Sequence, residues 1–495
     1  MPGHLSGEML LESPLEPAPA GSGEAYRAKR IAHWDRVAAA YRDRPHVARS
    51  YHRRLEQVYR FVVPRGSRVL EIGCGTGDLL AALAPEGGVG VDFSPAMLAE
   101  ARRRYPNLQF VEADAHDLSA LSGTFDVIVL SDLLDDVWDV QALLSGLHRL
   151  CHPGTRVVTN FFSRLWEIPL KIAAGLKLAR PVLKQNWLTV ADINNLFRLS
   201  DFRVIRTWQE VLCPLPIPVL GPLANRVLVR LWGIRNLALA NFMIARPLQP
   251  QRGDDRPVSV SVIVPARNEA GNIPALFART PEMGVETELI FVEGHSSDDT
   301  YAAIERAIAA NPQRPARLLR QTGRGKGDAV RLGFSVARGD VLMILDADLT
   351  MPPEDLPRFY EALRSDKGEF VNGVRLTYPM DDRAMRFFNL LGNKFFSLAF
   401  SWLLGQPIKD TLCGTKVLRR DAYLAIASNR AYFGDFDPFG DFDLLFGAAK
   451  LGLEMIEVPI RYRERTYGTT NIRRWSDGTL LLKMCVFAAG RIKFV

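Results

Sequence analysis

Short apolar runs, each closed by glycine, aspartate or serine, recur along the chain and alternate with stretches whose apolar positions repeat every three to four residues. In residues 68–162 the runs are RVLEIG, GVGVDF, LQFVEA, FDVIVLS and TRVVTNFF, with amphipathic segments between them. Alternation of this kind predicts a parallel sheet covered by helices. WLTVADINNLFRLSDF (187–202) continues as a helix, and RVIRTWQEVL and FMIARP close the series as late strands. A second series follows, with strands SVSVIVPA, ELIFVEG, ARLLRQ and VLMILDAD and helices over 273–280, 300–310 and 326–337. Between the two lies PLQPQRGDDRP, which has three prolines and no apolar period and reads as a linker.

Size agrees with two cores: 495 residues exceed the ~250–300 at which one core stops growing. The expected division is a loose Pro/Gly/Ser-rich tail (1–24), a first α/β domain (25–247), the linker (248–257) and a second α/β domain (258–495). The tail has no basic start followed by an apolar block, so no secretory signal is visible and a cytoplasmic location is expected. Five scattered cysteines without a CxxC pair argue against a disulfide framework or a zinc site.

The net charge of +7 divides into +5 for residues 1–250 and +2 for the rest, too little to mark a nucleic-acid partner. Its densest patch, residues 26–60, places arginines between helically spaced apolar residues and reads as a solvated helix face. No apolar run is long enough to span a bilayer. Residues 387–404 (FFNLLGNKFFSLAFSWLL) and 480–495 (LLLKMCVFAAGRIKFV) are interrupted by polar residues and read as helices lying on an apolar surface, so a peripheral position at the inner face of the membrane is expected.

Each series carries chemistry at a strand end. In EIGCGTG, Gly73, Gly75 and Gly77 let the chain turn sharply from strand to helix and bring backbone N–H groups close to a ligand. Asp92 ends the next strand, where a carboxylate accepts both hydroxyls of a ribose, and Asp114 follows the third strand. The spacing is GxGxG, not the GxGxxG of dinucleotide sites. The set resembles the class I S-adenosylmethionine-dependent methyltransferases over about 34–247, which implies a Rossmann-like domain. By that resemblance Glu71, Gly73, Gly75 and Gly77 line the amino-acid moiety, Asp92 holds the ribose, Asp114 and Ala115 flank the adenine, and Ser131 with Asp132 faces the methyl group. His33, Asp132, Asp135 and His148 are candidate bases for the methyl acceptor, with His148 the more natural as a structural residue. Two apolar segments, 163–187 and 212–223, are expected on the acceptor side.

In ILDADLT, Asp346 and Asp348 stand two residues apart at a strand end, where both reach one hard cation that completes its shell with phosphate oxygens. SVIVPARNEAGNI, LIFVEGHSSDDT and TGRGKGDAVRLGF precede it in order, and VNGVR, KDTLCGTKVLRR and EVPIRYRERTYGTTN follow. This set resembles glycosyltransferase family 2, with a GT-A fold, and within it the dolichol-phosphate mannosyltransferase-like branch. The resemblance implies that Pro265, Arg267, Glu269 and Glu293 hold the nucleoside of a GDP- or UDP-sugar, that Lys326 approaches its phosphates, and that Asp346 and Asp348 bind Mg or Mn. A lipid phosphate acceptor needs an arginine clamp, for which Arg375, Arg386, Arg463 and Arg465 are candidates; a glycan hydroxyl needs a base, for which Asp441, Asp443 and Asp410 are candidates. Three departures stand out: VEGHS for VDDGS, Thr350 after the DAD, and Asn471 where the family has lysine.

The expected activity is therefore methyl transfer fused to metal-dependent, inverting sugar transfer onto a polyprenyl phosphate or a glycan. The competing reading makes the second domain a non-catalytic module that holds a nucleotide or lipid.

Overall fold

The computed structural model describes the chain apart from residues 1–21, 40–45, 176–182, 184, 232, 249–257, 376–386, 431–441, 461, 464, 466, 468–473 and 495. Two seven-stranded sheets form its two halves, in the orders β3-β2-β1-β4-β5-β7-β6 and β10-β9-β8-β11-β13-β12-β14.

The first sheet contains β1 (Arg68–Ile72), β2 (Gly87–Asp92), β3 (Gln109–Glu112), β4 (Phe125–Ser131), β5 (Cys151–Phe162), β6 (Phe202–Glu210) and β7 (Ala240–Pro247). Strands β1 to β5 are parallel and β7 is antiparallel to both β5 and β6. Its helices are α1 (Ser22–Ala39), α2 (His46–Val62), α3 (Asp78–Leu83), α4 (Pro95–Arg104), α5 (Val140–Gly146), α6 (Glu167–Gly175), α7 (Val190–Leu199) and α8 (Leu220–Arg226). One core under α5 and α7 joins Leu70, Ile128, Val157, Phe197 and Met243; the opposite face packs Leu55, Tyr59, Val129 and Phe242 beneath α2. The expected tail overlaps α1 by its last residues, Ser22 to Glu24.

The second sheet comprises β8 (Val260–Ala266), β9 (Thr287–Glu293), β10 (Ala316–Arg320), β11 (Val341–Ile344), β12 (Phe370–Val374), β13 (Lys416–Arg419) and β14 (Met455–Pro459). Only β13 runs against its neighbours. The helices are α9 (Ile273–Arg279), α10 (Thr300–Ala310), α11 (Lys326–Val336), α12 (Leu356–Arg364), α13 (Phe387–Leu404), α14 (Arg420–Ser428), α15 (Phe442–Lys450) and α16 (Arg474–Ala488), followed by a π-turn over Ala489–Lys493. No helix among the described residues is long and apolar enough to cross a membrane.

The arginine-rich stretch differs from its sequence reading. Arg30 and Arg54 are buried, the first paired with Asp136 at 2.9 Å and the second with Glu210 at 3.0 Å. Helical spacing shows which positions face the core; it does not show that a core position offers a carboxylate to an arginine.

The halves meet through a buried ionic network at the edge of the first sheet remote from its glycine turn. Arg156 on β5 makes a bidentate pair with Glu369 (2.6 and 2.7 Å) and donates to the Gly452 carbonyl. Arg246, at the end of β7 and almost wholly buried, reaches Asp366 at 2.9 Å and Glu454 at 2.7 Å, while Arg203 pairs with Glu454 at 3.0 Å. Removing Arg246 takes a cation from Glu454, Glu369 and Asp366 together and leaves the largely buried Glu454 with Arg203 alone. Arg246→Ala is expected to destabilise the chain by about 3 kcal/mol, seen as a lower urea midpoint with the two halves unfolding in separate steps.

Candidate functional sites

The first site lies beyond the C-terminal ends of β1, β2 and β4. Gly73, Gly75 and Gly77 all have positive φ. A Cβ on Gly73 would stand 2.9 Å from Leu133, whereas one on Gly75 would meet nothing within 4 Å, so the turn is closed on one side and open on the other. Asp92 accepts the Gly75 N–H at 2.8 Å and the Ser94 N–H at 2.9 Å, holding the turn to the next strand. Its carboxyl is raised by burial against these hydrogen bonds. Glu71 is buried, its Oε2 has no hydrogen-bond partner among the described residues, and burial, with Asp92 adding, pushes its carboxyl up to about 8. An open glycine turn beside an unsatisfied buried carboxyl fits a ligand that brings cationic donors, as S-adenosylmethionine does.

Helix α1 crosses this edge. Arg27 pairs with Asp114 at 3.1 Å, Trp34 donates to Asp136 at 2.9 Å, and Asp35 accepts from the Ser94 hydroxyl at 2.5 Å. Asp114 also accepts from His116, which lowers its carboxyl despite burial. Ala115 is buried in the core next to it. Sequence reasoning reached α1 only through His33; the pairs that seat the helix join residues 59 to 102 positions apart and leave no local signal.

At the end of β4 the chain builds a buried polar cluster. Asp132 holds a left-handed backbone (φ 51°) and accepts from Tyr51 at 2.7 Å and Asn160 at 2.5 Å. Asn160 Oδ1 in turn accepts from Tyr59 (2.8 Å) and Ser131 (3.0 Å). Burial raises the Asp132 carboxyl to about 6, against the hydrogen bonds of Tyr51 and Asn160. Asp135 nearby accepts the Phe162 N–H at 2.8 Å. His148 lies elsewhere, with its Nε2 2.6 Å from the Ser200 carbonyl and its ring against Phe202, in a structural role. His33 stacks edge-on against Trp34 in α1.

The second site lies beyond the ends of β8, β9 and β11. The loops leaving these three strands each contain a non-glycine residue in the left-handed region: Asn268, His295 and Leu349. Such strain collects where a loop must present side chains to a ligand. Lys326, at the start of α11, stands 2.6 Å from Asp346. Arg465 joins Asp348 (2.6 Å) to Glu269 (2.9 Å), and Thr350 donates its hydroxyl to Asp348 at 2.7 Å. Burial would raise the Asp346 carboxyl, but Lys326, with Lys416 and Arg375 further off, brings it below its ordinary range. Gly414 packs so tightly on Asp346 and Lys326 that any Cβ there would collide with both. The glycine of the KDTLCGTK run is thus a site residue that the sequence reading passed over.

No cluster of three metal-ligating side chains exists among the described residues. The donor set is two carboxylates, which fits a hard cation whose remaining ligands are phosphate oxygens and water. Pro265 stands at the end of β8, Arg267 is exposed beside it, and Glu293 accepts the Ser296 N–H at the end of β9. The structure thus joins Lys326 to Asp346, and Arg465 to both Glu269 and Asp348, through direct contacts at neighbouring strand ends. Arg465 is engaged with the acidic cluster, where a clamp for the acceptor was expected. Arg375 is closed into a bidentate pair with buried Asp410 (2.7 and 2.8 Å). Asp443 lies apart, facing Arg430 at 3.0 Å and Arg331 at 3.7 Å on the walls of a pocket between α11, α14 and α15. Asp441, Arg386 and Asn471 lie outside the described residues.

A glycine turn with a carboxylate at the next strand end lies on one sheet and a DAD cluster on the other, the arrangement of a methyltransferase half joined to a glycosyltransferase half. Comparison with known proteins agrees. Residues 69–154 match the family model of the methyltransferase domain and residues 261–426 that of glycosyl transferase family 2, so the chain carries one domain of each. Among curated proteins it is similar to undecaprenyl-phosphate 4-deoxy-4-formamido-L-arabinose transferases. That of Klebsiella pneumoniae strain 342 is 28% identical over 213 residues, covering 42% of this chain and 61% of the relative. That of Sodalis glossinidius is 27% identical over 216 residues, covering the same shares. The chain thus spans about three fifths of these relatives. Solved structures aligned with it include a Thermotoga maritima S-adenosylmethionine-dependent methyltransferase (18% identity, TM-score 0.36, 44% of this chain and 99% of that one). Another is the Mycobacterium tuberculosis glucosyl-3-phosphoglycerate synthase (20% identity, TM-score 0.36, 48% and 80%).

Proposed function

We propose that the chain is a bifunctional enzyme, peripheral at the inner face of the membrane. Residues 25–247 transfer a methyl group from S-adenosylmethionine, and residues 258–495 transfer a sugar with inversion from a nucleotide sugar to polyprenyl phosphate. The observation that carries the second half is the cluster Lys326–Asp346 and Glu269–Arg465–Asp348, in which cations and carboxylates alternate at the strand ends. Mg or Mn held by Asp346 and Asp348 supplies charge neutralisation for the departing diphosphate. Lys326 and Arg465 face the same phosphates and exchange their carboxylate partners for them; Glu269, with Pro265, Arg267 and Glu293, orients the nucleoside. The names of the two relatives support a polyprenyl phosphate, whose own oxygen is nucleophilic at neutral pH and asks the protein for no base. The Asp410 carboxylate, closed onto Arg375, is then not required as a base, and the contact to the acceptor phosphate falls to cations other than Arg375.

In the first half, Glu71 and the glycine turn receive the amino-acid end of the cofactor, Asp92 its ribose, and Asp114 with Ala115 its adenine. S-adenosylmethionine supplies an electrophilic methyl group. Asp132, oriented by Tyr51 and Asn160 beside Ser131, takes the proton of the acceptor. The second half is tested by incubating the protein with Mn, polyprenyl phosphate and labelled GDP- or UDP-sugars. Label extracted into organic solvent is the expected result; neither transfer nor donor hydrolysis with any sugar overturns the reading.

A further inference from the structure

Exposed large apolar side chains are not spread evenly over this molecule. Of the 21 among the described residues, 16 fall in four segments, 164–188, 211–239, 387–409 and 474–495, about a fifth of the chain. Val219 is 78% exposed, Leu398 74%, and Ile168 and Val486 69% each. The same segments hold 14 lysines and arginines against two acids, Glu167 and Asp477. Of the chain's 62 basic and 55 acidic residues, 48 and 53 remain elsewhere. Outside these apolar segments, then, the chain is net negative.

The described parts of these segments are contiguous in space. The Trp166 indole donates to the Leu237 carbonyl at 2.8 Å, tying the start of the first segment to the end of the second. The Trp402 indole on α13 donates to the Arg230 carbonyl at 3.3 Å, crossing from one domain to the other. Phe494 and Lys493, beyond α16, lie 6.0 and 5.7 Å from the Trp402 rings. In the first domain the segments leave β5 and β6 at the edge that carries the glycine turn. A run of rings joins them to the candidate base: Tyr51 lies 5.9 Å from Phe162, and Phe162 lies 6.4 Å from Trp187.

We propose that these segments form one membrane-docking face to which the methyltransferase domain contributes the larger share, and that this domain takes a lipid-borne methyl acceptor from the bilayer it rests on. Among the described residues the exposed charges of these segments are Arg164, Lys171, Arg226, Lys409, Lys483 and Arg491, against the half-buried Glu167, which pairs with Lys171. An apolar surface with that excess of cations matches an anionic bilayer, whose interior takes Val219 and Leu220 while its headgroups meet Arg164, Arg226 and Arg491. A globular protein partner would have to present an acidic yet apolar surface of equal extent. The proposal shares the membrane with the function above but does not depend on sugar transfer.

The test uses the full chain with phosphatidylcholine vesicles, with and without phosphatidylglycerol, read by flotation. The native chain is expected to float with the anionic vesicles and lose this in high salt. V219E/L220E and I168E/I172E are each expected to lower the bound fraction about tenfold or more, with L199E, exposed outside the face, binding as native and thermal unfolding unchanged in all three. Native-like flotation of either double variant, or a change of oligomeric state in place of vesicle binding, overturns the docking face. For the acceptor, methyl-labelled cofactor is supplied with vesicles of total bacterial lipid extract. Label in the organic phase is expected; label only in water-soluble products overturns that assignment. Asp346→Ala separates the two readings, since it is expected to float and methylate as native whatever becomes of sugar transfer.

Discussion

Asp346→Ala is expected to lower sugar transfer by about a thousandfold or more while leaving methyl transfer within about twofold. The side chain is half-buried at the end of β11, so its loss leaves the strand intact. What disappears is one of two carboxylates for the cation, and with it the partner of Lys326 at 2.6 Å. Methylation, measured in the same preparation, serves as the control for folding. Conservative replacement is not expected to rescue. Gly414 packs directly on the Asp346 carboxylate and the Lys326 ammonium, so the longer Asp346→Glu has to place its carboxylate away from that contact. Gly414→Ala attacks the same contact from the other side and is expected to lose about a hundredfold by displacing both side chains. If either variant transfers sugar at a near-native rate, the acidic pair is not the catalytic centre.

The seven strands of the first sheet, the first four of the second and the turns at their ends were legible in the sequence because the signals there are local; β12 to β14, and the antiparallel course of β7 and β13, were not. Apolar runs mark strands, and glycine or aspartate within two residues of a strand end marks a turn that faces a ligand. Arg465 was legible as a candidate for an acceptor clamp, but its partners were not: Glu269 and Asp348 lie 196 and 117 positions away. Tyr51 and Asn160 gave no signal at all, since a tyrosine in an amphipathic helix and an asparagine in a strand look like ordinary packing until Asp132 is placed between them. Arg246 read as the end of a strand; its role in joining the halves depends on Asp366 and Glu454, which belong to the other domain. Long-range pairing of charges is set by topology, and a single sequence carries no record of it.

The pH dependence of methylation tests the Asp132 cluster most sharply. Burial raises its carboxyl from 3.8 to about 6, so a base acting there is unprotonated only above that value. Methyl transfer is accordingly expected to fall about tenfold per unit below pH 6 and to level off above it. Tyr51→Phe removes one of the two donors that favour the carboxylate and is expected to move the inflection to higher pH, with a modest effect on the plateau. Stability runs the other way. A carboxyl whose folded value lies above its unfolded one stabilises the fold fully below about pH 4 and loses that contribution as the pH rises through 6. The rise from 3.8 to about 6 amounts to about 3 kcal/mol of destabilisation at neutral pH. Asp132→Asn is therefore expected to abolish methylation while raising the unfolding midpoint at pH 8 and leaving it nearly unchanged at pH 4. An active Asn variant, or a stability gain of equal size at both pH values, shows that Asp132 is not the ionising base. A loss of both activity and stability assigns Asp132, Tyr51 and Asn160 to holding β4 and β5 together.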